Sequence, residues 1–476
     1  MKNRMLRAAL ALAIAVMLIP ALISCIELNS PVPLLPPAPM TDAPITDPPA
    51  PSPSPSPSPS PSPSPTPEPP RYNEHELTLL RKFFSHTDLN GVSNGEKLFE
   101  AYDENAPETW NTGLDWIFAD GVKRVLGISF DYFDLVGTLD LSGFSKLTSV
   151  SCSNNRLAAV RLTELPSLNS LNIAGNSLLP PPDLSSCPEL TRLDCSATDL
   201  YELDLSACPN LIWLICSSND LTKLDLSRCP NLQTLVCGEN ALGELDVSYC
   251  PELRVLDCIG AKLTELDLSS NPALINLSCS ANELSKLDLT DCPLLCELFC
   301  SENPSLSEIS LSPDASEMSY IYCSNCALTE LKIPSSVLSA DCSNNRISQL
   351  DLSDCKLLDS ITCDSNELSV LNLPRGGMLS TLSCDGNLLP SLNLSSVRHL
   401  GWLSCADNRL SELILPAEHV LGYLNCSGNS LTELELDSCS DLYDLRCVNN
   451  KLTRLDVSAC ANLETLLVDD GVEVIR

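Results

Sequence analysis

The chain has 476 residues, of which 62 are acidic and 28 are Lys or Arg, and its formal net charge is −34 at pH 7. It therefore lacks the cationic excess that neutralises phosphates, which excludes a nucleic-acid-binding protein, and its acidity favours solubility or a cationic partner. Aromatic residues make up only 4% of the chain, so aliphatic side chains and 25 cysteines must build most of the core.

The first 24 residues have the pattern of an export signal. Three basic residues within the first seven precede an apolar run over residues 8–22, which is short for a membrane span. The run ends in Ser24-Cys25, and this order resembles a bacterial lipoprotein signal. The resemblance implies that Cys25 is lipidated and anchors an exported protein in a bacterial membrane, facing the cell surface or the periplasm. An ordinary cleaved signal with a chance cysteine is the alternative.

Residues 25–70 are predicted to form a stalk. Within this range, residues 51–66 alternate proline with serine or threonine, and such a sequence adopts extended polyproline II rather than a packed core. Forty residues at about 3.1 Å each would span on the order of 120 Å. We expect a semi-rigid spacer, and a plain disordered linker is the alternative.

Residues 71–124 are predicted to form a helical N-terminal cap for the repeats that begin at residue 125. Glu74 to Phe84 places leucine and phenylalanine at helical spacing, and a second short helix is expected from Gly95 to Tyr102. The first strand is expected at Val122 to Ile128. A cap is needed because the first coil of a solenoid would otherwise expose an apolar end. A small independent binding domain is the alternative.

Residues 125–476 repeat one unit of about 21 residues. Residues 211–231 read LIWLICSSNDLTKLDLSRCPN and residues 232–252 read LQTLVCGENALGELDVSYCPE, giving L-x-x-L-x-C-x-x-N-x-L-T-x-L-D-L-S-x-C-P-x. This period and leucine spacing predict a leucine-rich-repeat solenoid. The sixth position marks sixteen coils, at Cys152, Ile173, Cys195, Cys216, Cys237, Cys258, Cys279, Cys300, Cys323, Cys342, Cys363, Cys384, Cys405, Cys426, Cys447 and Val468.

Each position of the repeat has a predicted role. Positions four and six alternate with polar positions, so this segment is a strand whose leucine and cysteine point inward, and successive strands stack in parallel at about 4.8 Å. The asparagine at position nine is expected to satisfy buried backbone groups of the turn. The L-T-x-L-D-L-S run also alternates, which predicts an extended back rather than a helical one. The fold class is therefore a curved, mainly β parallel solenoid.

This pattern resembles bacterial leucine-rich-repeat surface proteins of the internalin type over about residues 122–476. The resemblance implies a curved solenoid whose concave strand face binds protein, often in attachment or host contact. Two features depart from the family: its coils usually have leucine where these cysteines lie, and no cell-wall sorting motif is found near the C-terminus. Anchoring is expected at the N-terminus instead, and host invasion is not carried over.

The cysteines follow the leucine pattern rather than a pairing pattern, which predicts small buried hydrophobes with mostly free thiols. Export makes disulfides the alternative. However, parallel Cβ atoms about 4.8 Å apart do not match the roughly 3.8 Å of a disulfide. Fourteen cysteines occupy position six, Cys296 and Cys326 lie elsewhere, and eight occupy position nineteen: Cys187, Cys208, Cys229, Cys250, Cys292, Cys355, Cys439 and Cys460.

No enzyme, cofactor or metal is predicted. The four histidines do not recur with a nucleophile or a carboxylate, and no phosphate-binding loop or H-E-x-x-H motif is present. Cys323-x-x-Cys326 lies at different corners of the coil and has no second pair, so zinc is not expected. Asp88, Asn90 and Asn94 resemble part of a calcium loop, but Val92 takes a ligand place.

Positions three and five should point to the concave face, where we place the partner. Exposed aromatic groups commonly mark binding sites, and Trp and Tyr dominate binding hot spots. The alternative is that such residues simply suit strands. The candidate residues fall in three patches: Trp213, Ile215, Val236 and Val255; Phe299, Tyr320 and Tyr322; and Trp402 with Tyr423.

Aspartates at position fifteen are predicted to form a row on the convex side. Like charges about 4.8 Å apart repel, so we expect a well-solvated row, and a calcium ladder is the alternative. Its members are Asp204, Asp225, Asp246, Asp267 and Asp288.

Together these patterns predict a monomeric surface protein, attached to the membrane only through its N-terminal lipid, that binds a protein ligand or mediates adhesion through its concave face. Recognition of a glycan or cell-wall polymer by the same aromatic residues is the second hypothesis. A structural role as a cell-envelope spacer is the third.

Overall fold

The structure is a computed structural model that describes residues 71–177, 179–416 and 420–476. The predicted export signal, the lipidation site Cys25 and the stalk lie outside the described residues. No helix within the described ranges is long and apolar enough to cross a membrane.

One strand per coil builds the main sheet, and strands of successive coils pair in parallel. Leu214 pairs with Leu193 of the preceding coil and with Leu235 of the next. Position four is buried while its two neighbours are mostly half-buried, as the alternation predicts. The strands are Val122–Ser129, Ser149–Ser151, Ser170–Asn172, Arg192–Asp194, Trp213–Ile215, Thr234–Val236, Val255–Asp257, Asn276–Ser278, Glu297–Phe299, Tyr320–Tyr322, Ser339–Asp341, Ser360–Thr362, Thr381–Ser383, Trp402–Ser404, Tyr423–Asn425, Asp444–Arg446 and Thr465–Leu467.

The back of the solenoid is extended, as the alternation of the L-D-L-S run predicts. No helix follows Thr109 in the described part of the chain. A coil of 21 residues leaves no room for a helix between one strand and the next. Short parallel pairs form there instead: Val136–Asp140 with Arg156–Arg161, Lys286–Leu289 with Glu308–Leu311, Gln349–Asp351 with Val370–Asn372, Ser391–Asn393 with Glu412–Ile414, and Arg454–Asp456 with Glu473–Ile475.

Three helices precede the sheet: α-helices Glu74–Phe84 and Asn94–Leu98, and the 3-10 helix Pro107–Thr109. The first has the predicted bounds and buries its leucines at 77 and 80 against the first coils. The second ends at Leu98 rather than at Tyr102, because Phe99 leaves the helix in an extended conformation. That change turns the Phe99 ring edge-on to Phe84, 5.3 Å between centroids, and buries it.

The cap also contains a strand that the sequence analysis did not predict. Leu114–Ala119 pairs antiparallel with Val122–Ser129 through a tight turn at Asp120 and Gly121. Both turn residues have positive φ, 53° and 79°, as the two-residue turns of hairpins require. The overlooked signal is therefore the Asp-Gly pair. This strand covers the N-terminal edge of the main sheet, where unpaired backbone groups would otherwise invite association.

The asparagine of position nine joins neighbouring coils. The Asn219 side chain is buried, and its Nδ2 donates to the carbonyl oxygens of Cys216 in its own coil, at 3.0 Å, and Cys195 in the preceding coil, at 2.9 Å. Its Oδ1 accepts from the Leu200 amide at 2.9 Å. The predicted role is confirmed. The same contacts recur at Asn155, Asn176, Asn240, Asn282, Asn303, Asn345, Asn366, Asn387, Asn408, Asn429 and Asn450.

The 24 cysteines in the described residues are free thiols. All are buried except Cys296 and Cys326, which are half-buried. Burial raises the pKa of the Cys216 thiol to about 12, so the reactive thiolate is scarce at neutral pH. Cys326 stands at position nine, where its Sγ lies 3.4 Å from the carbonyl oxygen of Cys300 in place of an asparagine amide.

We expect Asn219→Ala to lower the free energy of unfolding by about 3 kcal/mol, because it removes two buried hydrogen bonds to carbonyl oxygens and leaves the buried amides of Thr198 and Leu200 without their acceptor. Urea denaturation measures the loss. The matched control is Asn231→Ala in the same coil, since this exposed side chain makes one hydrogen bond, to the Pro209 carbonyl oxygen at 3.1 Å. The control should lose less than about 1 kcal/mol. Equal losses would contradict a special role for position nine.

A thiol reagent at mildly alkaline pH should modify Cys296 first, because it is half-buried whereas the other described cysteines except Cys326 are buried, and burial raises the pKa of the Cys326 thiol. Comparison with Cys296→Ser isolates this thiol from all others. The variant should lose one fast equivalent in the native protein, and both proteins should react fully once unfolded. Fast reaction of many thiols in the native variant would show that the coils open readily.

Candidate functional site

The concave face consists of the side chains at positions three and five of the main sheet. These side chains leave each strand on the side opposite to the buried leucine of position four. Because the strands pair in register, side chains of the same position in adjacent coils lie side by side. Neighbours on this face can therefore be found by comparing consecutive coils.

Two of the predicted patches contain stacked rings. Phe299 and Tyr322 pair across adjacent strands, with ring centroids 5.2 Å apart and planes 3° from parallel. Trp402 and Tyr423 pair likewise, at 4.9 Å and 6°. Tyr320 lies on the same strand as Tyr322, between non-aromatic residues of the two adjacent strands, and takes part in no ring stack within the described residues.

An arginine completes the stack of Trp402 and Tyr423. The guanidinium of Arg446 lies 5.5 Å from the Tyr423 ring centroid. Asp444 holds it through two hydrogen bonds, of 3.1 and 3.0 Å, from Nε and Nη2. Tyr423 is thus enclosed between an indole ring on one side and a fixed cation on the other. Arg446 is not among the site residues predicted from the sequence.

The first patch differs from the prediction in two respects. Ile215 and Val236 do lie side by side on adjacent strands. The Trp213 ring, however, carries the guanidinium of Arg192 at 5.1 Å, so one of its faces is already covered. Val255 is only 6% exposed, because its short side chain lies below the surface formed by its neighbours, and it offers little area to a partner.

Carboxylates occupy the face between the two stacks. The Asp364 Oδ1 accepts from the Asp385 amide at 2.8 Å and from Ser383 Oγ at 2.7 Å. Asp385 makes equivalent contacts with Ser404 Oγ and the backbone of the next coil. Burial, and then the nearby Asp364 and Asp407, raise the pKa of Asp385. The signal that could have found this pair is Cys-Asp at positions six and seven of consecutive coils.

Two other half-buried carboxyl groups lie on this face. Burial is the main cause that raises the pKa of Asp194, and it raises the pKa of Asp257 to about 6. The Asp257 Oδ1 accepts from the Ile259 amide at 3.1 Å. The cost of burying the charged form is therefore only partly offset.

The aspartates of position fifteen do more than form a solvated row. In each, Oδ1 accepts from the amide two residues later, as in Asp246 and Ser248 at 2.9 Å. These hydrogen bonds lower the pKa of Asp246 and stabilise the turn that follows each back segment.

In the cap, Asp88 accepts from the amides of Asn90 and Val92 and pairs with Lys97 at 2.9 Å. Within the described ranges, no three His, Cys, Asp or Glu side chains are arranged to hold a metal ion.

Asp257→Asn should raise the free energy of unfolding at about pH 7.5 by about 1 to 3 kcal/mol and leave it nearly unchanged near pH 4. Folding raises this pKa from 3.8 to about 6. The protonated form therefore favours the fold, and that contribution is lost as the pH rises through about 6. The asparagine keeps the acceptor for Ile259 without ionising. Urea denaturation at both pH values measures the difference.

The control for this prediction is Asp246→Asn. Its carboxylate has a lowered pKa, so it favours the fold above the unfolded value of 3.8. The control should therefore lose stability at neutral pH, the opposite sign. If the free energy of unfolding of Asp257→Asn differs from that of the wild type by the same amount at every pH, the burial argument is contradicted.

Solved structures of known proteins share this architecture. The functional domain of InlJ from Listeria monocytogenes, described as including a cysteine ladder, is 28% identical, with a TM-score of 0.55 over 68% of this chain and 68% of its own. YopM from Yersinia enterocolitica is 24% identical, with a TM-score of 0.52 over 71% of this chain and 90% of its own. The plant peptide hormone receptor RGFR1, in complex with RGF2, is 21% identical, with a TM-score of 0.53 over 70% of this chain and 68% of its own.

Scans against family models and curated proteins found no match. The 21-residue coils, the parallel one-strand-per-coil sheet and these structural neighbours identify the fold as a leucine-rich-repeat β-solenoid.

Proposed function

We propose that the chain is a surface protein, lipid-anchored through Cys25, that binds a protein partner on its concave face. The observation that carries the proposal is the pair of aromatic stacks, Phe299 with Tyr322 and Trp402 with Tyr423. Solenoids use their extended concave surfaces for binding, and aromatic side chains dominate protein-binding hot spots.

The stacking geometry favours a protein over a glycan. A sugar packs on the open face of an aromatic ring, but rings 4.9 to 5.2 Å apart cover each other's inner faces. Arg446 covers the outer face of Tyr423 as well. What remains is the ring edges, the outer face of Trp402 and the outer faces of the Phe299–Tyr322 stack, which suit the apolar and cationic side chains of a protein.

The test compares Trp402→Ala/Tyr423→Ala with Tyr201→Ala/Tyr249→Ala. The control pair lies off the concave face and is 63% and 52% exposed, so it removes an equal number of exposed aromatic rings. Each protein is immobilised and presented to bacterial and host surface proteins and, in parallel, to a glycan array. We expect the stack variant to lose at least about tenfold in affinity for the captured protein, and the control to lose almost none.

Two results would contradict the proposal. In one, the stack variant and the control bind the captured protein equally well. In the other, binding appears on the glycan array and is lost with the stack, which would transfer the site to carbohydrate recognition. Circular dichroism of both variants excludes misfolding as the cause of any loss.

A further inference from the structure

The concave face between the two stacks has an unbalanced charge. From the coil of Cys300 to that of Cys426, positions two to eight contain seven carboxylates and no lysine or arginine. None of these carboxylates forms an ion pair within the described residues. They are Glu297, Glu302, Asp341, Asp359, Asp364, Asp385 and Asp407.

We propose that this segment of the face binds an extended, arginine-rich segment of the partner protein. The inference rests on the proposed function and names the class of partner for the same site. The two aromatic stacks bound the segment at either end, and the carboxylates of Asp341, Asp364 and Asp385 lie on three successive coils between them.

The chain itself contains the contact that the partner would make. On one side of Tyr423, the Asp444 carboxylate holds the Arg446 guanidinium over the ring. On the opposite side of the same stack, the coil that precedes Trp402 supplies the Asp385 carboxylate, which lies four residues after the strand partner of Trp402 in that coil. No arginine is present there. An arginine of the partner would supply the missing cation over Trp402.

The hydrogen bonds of the carboxylates favour separate cationic side chains over one metal ion. The Asp341 Oδ1 accepts from the Ser343 amide at 2.9 Å, and the Asp364 Oδ1 accepts from the Asp385 amide. In the described part of the chain, no hydrogen bond reaches the second oxygen of either group. Each of these two coils therefore offers one free carboxylate oxygen, which suits one charge-assisted hydrogen bond per coil.

The spacing sets the length of the bound segment. Four steps of about 4.8 Å separate the strand of Tyr322 from that of Trp402, or about 19 Å. An extended chain advances about 3.3 Å per residue, so about six residues bridge the two stacks. Arginine suits both contacts, because its planar group pairs with carboxylates and stacks on aromatic rings.

The test uses Asp341→Asn/Asp364→Asn/Asp385→Asn in the full chain, because asparagine keeps the acceptor oxygens that the strands use. The matched control is Asp225→Asn/Asp246→Asn/Asp267→Asn on the back, which removes the same charge. Fluorescence anisotropy follows two labelled peptides of about nine residues, one alternating arginine with serine and the other glutamate with serine, in about 50 and 300 mM salt. Thermal melts followed by circular dichroism show that each variant is folded.

We expect the concave variant to bind the arginine peptide at least about tenfold more weakly than wild type, with a shallower salt dependence, and the back variant to lose less than about twofold. The glutamate peptide should not bind. Equal weakening in both variants would show general attraction to an acidic protein and overturn the proposal, as would undiminished binding by the concave variant.

The protein captured in the preceding test separates the two hypotheses. If Trp402→Ala/Tyr423→Ala abolishes its binding while the triple asparagine variant retains it, the partner binds the aromatic stacks without an arginine-rich segment, and only the present inference fails. If neither variant affects its binding, both fail.

Discussion

The structure depends on how the buried backbone of each turn finds hydrogen-bond partners. The strand ends at position five, and the carbonyl group of the cysteine that follows it points into the solenoid, where water cannot reach it. The asparagine at position nine satisfies the carbonyl oxygen of its own coil and that of the coil before, and it accepts an amide from that same neighbour. Because the asparagine side chain joins two coils, the buried hydrogen bonds of each coil are complete only when the next coil is in place.

This dependence on neighbours explains what the cysteines contribute. Position six needs an apolar side chain that can be buried, and Ile173 meets this need in a coil without cysteine there. A thiol meets it too and also directs its sulfur towards a carbonyl oxygen of the next coil, as Cys384 does at 3.6 Å from Ser404. The free thiols therefore belong to the packing of the core. The side chains that vary between coils and could bind a partner lie on the opposite face of the strand, at positions three and five.

The sequence predicts the repeat well because period and burial follow from local rules. Alternation places position four inside and positions three and five outside, and reading consecutive coils places Trp402 beside Tyr423 before any coordinates are known. Three things could not be read in this way. The burial of Val255 depends on how far the side chains around it extend. The cation over Trp213 depends on the rotamer of an arginine in another coil. The strand Leu114–Ala119 depends on one Asp-Gly turn outside the repeat.

The register of the strands also explains why some candidate residues form ring stacks and others do not. Trp402, Tyr423, Phe299 and Tyr322 gain significance because the pairing of strands brings them together in pairs, whereas Tyr320 remains outside a stack. The carboxylates of position seven were overlooked because each looks like an ordinary surface aspartate within its own coil. Only the stacking of coils places them in one row between the rings.

The cap has a consequence for how the chain folds. Six aromatic rings, those of Phe83, Phe84, Phe99, Tyr102, Trp110 and Phe130, contact one another there, in a protein otherwise poor in such residues. This part is synthesised before the coils that follow Phe130, and it can collapse without waiting for distant sequence. Each coil that emerges afterwards finds a finished template on its N-terminal side. The coils can thus fold one after another from the N-terminal cap, and each strand can pair soon after it is synthesised.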